Sequence, residues 1–331
     1  MNERYFLKPS TQWVRQADNG IIIIGRKTVA FPRGGERLVK TLETLRYGAT
    51  VRELSQIIES ETVANLSIRK LKQIGFLTMA KPGSVRLDHL EKQANFFAEY
   101  VDDVDGALRN LKNAHVLIVG CGGTGSLVAE GLASAGVGEI TGIDDDVVQL
   151  SNLNRQYAFS RSDCGRKKPD ALKDFLLARW PDLVFNAISG RIERAATLDA
   201  LLGDRHVDLV VCCADTPPIV IQLALCEWAR VHHSSIIFGA VGLANGHVGP
   251  LLTNELDMLS HENVLQEALK VIGSSKLRPH SGSIGWTNAL ISALVTGETV
   301  RFLSGYLAPS SKNQVLEYDF ENHKTCRREL V

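Results

Sequence analysis

The residues of this chain whose types and spacing suit chemistry lie between positions 120 and 215. Gly120-Cys121-Gly122-Gly123-Thr124-Gly125 follows the apolar run Val116-Leu117-Ile118-Val119 and opens a helical pattern. Glycines 120, 122 and 125 thus match G-x-G-x-x-G in a strand–turn–helix context. Glycine there lets the backbone turn sharply and lets phosphates approach the free N–H groups of a helix start. Asp144 stands 19 residues after Gly125, at the end of a second strand pattern, where a carboxylate can accept ribose hydroxyls. Together these residues predict an adenine-nucleotide site without saying which nucleotide.

The residues downstream narrow the choice. Asp144-Asp145-Asp146, Ser151-Asn152-Leu153-Asn154-Arg155-Gln156, Gly165-Arg166-Lys167-Lys168 and Ala214-Asp215 add carboxylates, amides and cations in that order. A dinucleotide dehydrogenase has little use for Arg155 and Lys168 near the phosphates, and no Tyr-x-x-x-Lys is present here, since Tyr157 has Arg161 four residues on. ATP has such a use, because its pyrophosphate leaving group carries concentrated negative charge. Six cysteines, at 121, 164, 212, 213, 226 and 326, form no C-x-x-C pair, so neither a zinc site nor a disulfide framework is expected. Cys212 and Cys213 read as buried strand residues. Cys164 reads as the one exposed thiol, and acyl transfer without an enzyme thioester is expected. The polar stretch 254–285 reads as a long connection lying over the site as a lid, with His280 or Lys276 as a general base.

These groups need rigid elements to hold them. From His115 onward strands and helices alternate, the pattern of a doubly wound parallel α/β sheet. The expected strands are Val116–Val119, Glu139–Asp144, Val184–Ile188, Asp208–Cys213, Ser235–Val241 and Val315–Asp319, with helices over 125–135 and Ile284–Leu303. Ahead of them, Gln12–Arg15, Gly20–Gly25 and Thr28–Phe31 read as short strands. Leu38, Leu42 and Leu45 then mark a first helix, and Thr50 with Glu53 a capping box opening a second. A third helix carries Val63, Leu66, Leu71 and Ile74 and stops at Gly75, before an extended wing at Phe76–Met79. The resulting division is a winged-helix α+β domain over 1–80, a linker and connecting helix over 81–113, and a Rossmann-like sheet over 114–331, the break falling at Lys81-Pro82-Gly83-Ser84.

The five motifs, taken in order, resemble the ubiquitin-activating-like ThiF/MoeB superfamily of ATP-dependent carboxylate activators over about residues 112–305. The resemblance implies that Gly120, Gly122, Gly123 and Gly125 shape the phosphate turn and that Asp144, within Asp144-x-Asp146, binds the ribose. It implies that Asn152, Arg155 and Gln156 contact the β- and γ-phosphates, that Lys168 neutralises charge near the α-phosphate, and that Asp215 holds Mg²⁺. Arg155, Lys168 and Asp215 would then be the catalytic set. Three positions depart from the family pattern. Zinc-binding C-x-x-C pairs are missing, Val220 stands where relatives carry an arginine, and Lys92 is the nearest candidate for an arginine finger given in trans.

Ser235–Leu252, with Gly239-Ala240-Val241-Gly242 and Gly249-Pro250-Leu251, is similar to the peptide-modifying branch of that superfamily. The front domain resembles a PqqD-like element that captures a leader peptide as an added strand. A leader-binding front domain with one zinc-free adenylation domain implies activation of a glutamate side chain in a ribosomal precursor peptide. Intramolecular capture and cyclisation would come next, in peptide-antibiotic biosynthesis, by a homodimer using ATP and Mg²⁺. Two other readings stay open: an adenylyltransferase for a ubiquitin-like sulfur carrier, and a nucleotide-responsive winged-helix DNA regulator. For the latter the third helix offers only Arg69, Lys70 and Lys72.

Composition bounds all of this. With 331 residues the chain fits about two domains of ~150. Its 37 basic and 37 acidic residues cancel, so no global field points to nucleic acid. The cancellation hides a basic front, since residues 1–80 hold 13 Lys and Arg against 7 Asp and Glu, a balance suited to an acidic leader. No apolar run approaches the ~18 residues that span a bilayer, and Met1-Asn2-Glu3-Arg4-Tyr5 lacks a secretory apolar region, so a reduced, cytoplasmic protein is expected.

Overall fold

Short β runs and helical periods alternate in the first unit, Met1–Arg109, as expected, with two strands more. The elements are β1 (Arg4–Leu7), β2 (Gln12–Arg15), β3 (Ile21–Ile24), β4 (Thr28–Phe31), α1 (Gly35–Tyr47), β5 (Ala49–Thr50), α2 (Val51–Ile58), α3 (Glu61–Ile74) and β6 (Leu77–Thr78). β1, too short to show alternation, is the centre of an antiparallel sheet ordered β5-β1-β6, while β2-β3-β4 is a separate meander. The capping box forms: Glu53 N donates to Thr50 Oγ1 at 3.2 Å and Thr50 N to Glu53 Oε2 at 2.9 Å. Helix α3 closes on Gly75 in the left-handed region, φ 87°. Its buried stripe is Ala64, Ile68 and Leu71, which leaves Leu66 exposed rather than in the core. Helices α4 (Glu91–Phe97) and α5 (Val104–Asn113) come next. The computed structural model describes residues 3–33, 35–81, 89–272 and 282–329, so the expected break lies, beyond Lys81, outside the described residues.

The second unit, Asn110–Val331, is built on one eight-stranded sheet. Its elements are β7 (His115–Val119), α6 (Gly123–Ser134), β8 (Glu139–Asp144), α7 (Lys168–Leu177), β9 (Val184–Ser189), α8 (Ala195–Leu202), β10 (Leu209–Cys212), α9 (Val220–Val231), β11 (Ser235–Val241), β12 (Asn245–Leu252), α10 (Glu255–Ile272), α11 (Gly285–Ser304), β13 (Gln314–Asp319) and β14 (Lys324–Glu329). The strand order is β14-β13-β12-β11-β10-β7-β8-β9. β7 is buried along its whole length between β8 and β10, which is why it reads as a continuous apolar run.

Two expectations need correcting. The sheet is mixed: β9, β8, β7, β10 and β11 are parallel, but β12, β13 and β14 each run antiparallel to the strand before. No crossover helix separates β11 from β12, so a tight turn through Gly242 reverses the chain. Residues 254–285 are not chiefly a loop, since α10 fills Glu255–Ile272. Its buried positions, Met258, His261, Glu262 and Leu265, have helical spacing, but two of the four are polar and hide the stripe.

On one face α8, α9 and α10 pack Leu198, Trp228 and Met258 against Leu117, Val210, Cys212, Ile236 and Phe238. On the other, α6 and α11 lie together, with Ser292 Oγ donating to Thr124 O at 3.0 Å. Both helices begin at the edge where the parallel strands end. Among the described residues no helix is long and apolar enough to cross a membrane.

Candidate functional site

The glycine turn is fastened on both sides. Gly120 N donates to Ile143 O at 2.9 Å and Cys213 N to Val119 O at 2.8 Å, tying the end of β7 to β8 and β10. Gly120 has φ +91°, and a Cβ there would lie 2.9 Å from Ala214 N, so only glycine fits. A Cβ on Gly125 would strike the Gly120 carbonyl. α6 starts at Gly123 with Gly122 as an N-cap that supplies no side-chain acceptor. Space beside Gly122 is open, its nearest neighbour being Gln156 Nε2 at 3.6 Å from an ideal Cβ.

Asp144 closes the turn from β8. Its Oδ2 accepts from Cys121 N at 2.7 Å and its Oδ1 from Asp146 N at 2.8 Å. Burial pushes its carboxyl pKa up, opposed by Lys168 and by those two N–H groups. Lys168 opens α7 and is buried, with Nζ donating to Asp146 Oδ2 at 2.6 Å. Asp146 is therefore an ion-pair partner of Lys168, a contact its spacing did not announce. Asp144, Asp145 and Asp146 place carboxylate oxygens within 4.8 Å of one another. Lys168 and Arg191, the latter 3.6 Å from Asp145, answer that charge.

The Ser151–Gln156 segment folds through a 3-10 turn at Leu150–Asn152. Asn152 is buried, and its Oδ1 accepts from Gln149 N at 3.0 Å, so that oxygen shapes the turn. Gln156 is only 3% exposed, and its Oε1 has no hydrogen-bond partner among the described residues. Leaving such an acceptor unmet costs about 1–3 kcal/mol, whereas the other amide atom, the donor Nε2, is the one beside Gly122. Half-buried Arg155 holds its guanidinium with Nη1 on Ser151 O at 3.1 Å and Asn154 Oδ1 at 3.0 Å.

Two residues without an assigned role join this group. Asn154 Nδ2 donates to Ser283 O at 3.0 Å. Asn288 donates to Ser283 Oγ at 2.9 Å and Ile284 O at 2.8 Å, while its Oδ1 stands where a Gly123 Cβ would be. An amide in the first turn of α11, beside the mostly apolar run 289–295, was the available signal for Asn288.

Asp215 lies just past β10, exposed, with Oδ1 accepting from Thr216 Oγ1 at 3.1 Å. The next turn is strained, since β-branched Ile219 has φ +65° as it enters α9. Val220, the position of the missing arginine, begins that helix half-buried. An uncapped helix start, open space at Gly122 with the Gln156 Nε2 donor beside it, and Arg155 together fit a polyphosphate. An exposed all-oxygen donor such as Asp215 fits a hard divalent cation such as Mg²⁺.

Burial pushes the Cys212 thiol up to about 12 and raises Cys121, Cys213 and Cys226 as well. Cys164 is exposed as expected, but so is Cys326 on the edge strand β14, which corrects the reading of a single exposed thiol. Lys92 sits exposed on α4, in the first unit. Lys276 and His280 lie outside the described residues.

The ThiF family matches residues 91–330 of the chain. Molybdopterin-synthase adenylyltransferase of Escherichia coli (strain K12) is 32% identical over 225 residues, 66% of this chain and 83% of that protein. E. coli MccB solved with ATP has a TM-score of 0.82 at 23% identity, covering 99% of this chain and 97% of that one. MccB, the microcin C7 biosynthetic enzyme, in complex with N-formylated MccA has a TM-score of 0.81 at 22% identity, with the same coverage. PaaA has a TM-score of 0.73 at 21% identity, covering 98% of this chain and 99% of that one. The likenesses to MccB and PaaA are likenesses of fold.

Proposed function

We propose that this chain, which belongs to the ThiF family, uses ATP to activate a carboxylate of a ribosomal precursor peptide, a glutamate side chain, whose acyl group an internal nucleophile then captures to form a ring. By membership the chain is an ATP-dependent adenylating enzyme; the acceptor and the residue roles are the proposal. The observation that supports a peptide acceptor is the fold shared with MccB bound to N-formylated MccA, which extends over 99% of this chain and so takes in a front unit. A layout of front unit plus adenylation domain is the one expected of PaaA, whose fold also matches.

The site's own residues divide the work of positioning and charge stabilisation. Gly122 and Gly123 with the start of α6 would receive phosphates, and Gln156 and Arg155 would meet the β- and γ-phosphates. Asn152 keeps that segment in place. Each oxygen of Asp144 accepts one backbone N–H and retains a lone pair for a ribose hydroxyl. Lys168 would answer charge developing near the α-phosphate, and Asp215 would hold Mg²⁺, which when bound neutralises phosphate oxygens. No zinc is expected. The front unit would take an acidic leader along a free sheet edge, and the assembly would be a homodimer to which Lys92 contributes in trans.

The test uses the full chain, Mg-ATP and the small peptide encoded beside its gene, following nucleotide products and peptide mass together. Nucleotide release with loss of water from the peptide supports the reading. Asp215→Ala should reduce turnover at least 100-fold with leader binding intact, and unchanged turnover overturns the metal assignment. One relative favours a second reading, a sulfur-carrier acceptor, through its 32% identity as a molybdopterin-synthase adenylyltransferase. Adenylation of a ubiquitin-like carrier with an unchanged peptide would select it. The DNA-regulator reading is weaker, because Lys70 and Lys72 lie over the rings of Phe31 and Tyr5, at 5.7 and 5.5 Å.

A further inference from the structure

Beside the nucleotide site, the strands β10 to β14 form an open shelf. Cys212 on β10 stands opposite Phe238 on β11, so Ala214 and Ala240, each two residues on, continue the same face. Ala240 is opposite His247 on β12, His247 opposite Glu317 on β13, and Glu317 opposite Cys326 on β14. Lower on this face α9 and α10 cover Cys212 and Phe238, but Ala240 is exposed. The shelf thus has Ala214 and Asp215 at one end and His247 with Glu317 at the other. They stand two strand spacings apart, about 10 Å, with only a methyl group between.

A β-bulge puts His247 there. Leu252 pairs with Ile236 and Leu251 with Ile237, but Val248 pairs with Gly239, so β12 carries one extra residue. Without it the register from Leu252 would set Val248 opposite Ala240 and turn His247 to the opposite face. Gly249 sits within the bulge at φ +89°, and a Cβ there would lie 2.7 Å from Gln314 O.

The imidazole is set up by its neighbours. Asn245 Nδ2 donates to Glu317 Oε1 at 2.6 Å, which holds the carboxylate with Oε2 3.6 Å from His247 Nε2. The two side chains are 34% and 27% exposed, sheltered but reachable. By register the charged and titratable groups sharing the face are Glu317 and Asp319 of β13 and Lys324, Cys326 and Arg328 of β14. Burial lowers the His247 pKa, Glu317 raises it and Arg328 lowers it, with a net downward shift that leaves a neutral ring at pH 7.

We infer that His247, oriented by Glu317, is the general base of the second half-reaction, taking the proton from the nucleophile that captures the activated carboxyl. The inference rests on the peptide reading. A nitrogen of the peptide forms the new C–N bond with its lone pair. The acyl C–O bond to the adenylate phosphate breaks, and AMP leaves with that electron pair. The nitrogen's proton passes to His247 Nδ1, Nε2–H facing the Glu317 carboxylate that stabilises the imidazolium, and solvent then removes it. ATP itself is not touched by this pair, so the two half-reactions separate by residue.

The experiment uses the full chain, Mg-ATP and the peptide encoded beside the gene, with hydroxylamine as a trap that needs no base to attack an acyl-adenylate. His247→Asn and His247→Gln should keep hydroxamate formation within about twofold while captured peptide falls about 10²–10⁴-fold. Glu317→Gln should move the acid limb of the capture profile to lower pH, since it removes the group that raises the imidazole's pKa. Full capture by His247→Asn overturns the inference. So does an equal loss of hydroxamate and capture in both His247 variants, which marks a structural role. No hydroxamate from the unmodified chain overturns the peptide reading itself, and the base assignment with it.

Discussion

Replacing Lys168 separates two jobs that a buried lysine can hold. Its side chain is 7% exposed and lies 2.6 Å from Asp146, whose own side chain is 65% exposed. A pair with one partner mostly in water contributes on the order of 1 kcal/mol to folding. Lys168→Met keeps the methylene packing, so a purely structural lysine predicts a loss of about 1 kcal/mol in stability and little change in rate at saturating ATP. A lysine that neutralises charge at the reacting phosphate predicts more. Removing such a group costs about 3–4 kcal/mol of barrier, or 10²–10³ in rate. Lys168 also opposes the burial that raises the Asp144 pKa, so the variant should lose ATP affinity further as pH falls. Asp146→Asn is the control, because it removes the ion pair and keeps the cation. It should cost about 1 kcal/mol in urea unfolding and less than tenfold in pyrophosphate release. If both variants slow pyrophosphate release equally, Lys168 serves only as a partner for Asp146 and the catalytic assignment fails.

Buried groups away from the nucleotide set two further outcomes. His261 on α10 is buried beside Phe238, and desolvation lowers its pKa from 6.5 to about 4. The unfolded chain therefore binds more protons between those values, so stability is complete above about pH 6.5 and falls as pH drops toward 4. Unfolding at pH 7.5 and pH 5 should differ by about 2 kcal/mol more in the natural chain than in His261→Leu, and equal slopes would refute the cause. Glu298 in α11 is buried and accepts from Ser311 N at 2.6 Å, Ser311 Oγ at 2.8 Å and Arg301 Nη1 at 3.0 Å. Glu298→Ala leaves the two Ser311 donors unpaired, Arg301 Nη1 keeping Ser310 Oγ at 3.1 Å, and should cost about 3 kcal/mol by denaturant titration. A loss under 1 kcal/mol would mean that water replaces the carboxylate.

Much of the structure around the glycine turn and in the front unit was legible because its signals are local. Val116–Val119 is apolar on both faces, Gly120 and Gly125 are sterically required, and the Thr50–Glu53 capping box needs only four consecutive residues. The hidden features depended on contacts distant in sequence. β1 is defined by partners at Ala49–Thr50 and Leu77–Thr78 rather than by its own pattern. α10 buries His261 and Glu262, so its amphipathic stripe reads as polar. Asn152 and Asp146 bear the residue types of a nucleotide site, but the contacts of Asn152 Oδ1 with Gln149 N and of Asp146 with Lys168 are ones the spacing does not announce.

The two sides of the site also differ in how they can be built. On the nucleotide side the parallel strands end and loops begin, so Arg155, Gln156 and Asp215 are placed by turns whose local residue types are visible in sequence. On the acceptor side β12 begins at that edge and β13 ends there, and His247 and Glu317 are strand positions fixed by lateral pairing. A strand position has only two faces, and one residue more or less exchanges them. The bulge beside Gly249 therefore decides which side chain stands opposite Ala240, the imidazole of His247 or the valine of Val248. No window of sequence reports that choice, because the alternation on either side of the bulge looks regular and only the partner strand records the shift. A base placed this way is held more rigidly than one carried on a loop, and rigidity suits a group that must meet a short-lived acyl-adenylate before water does.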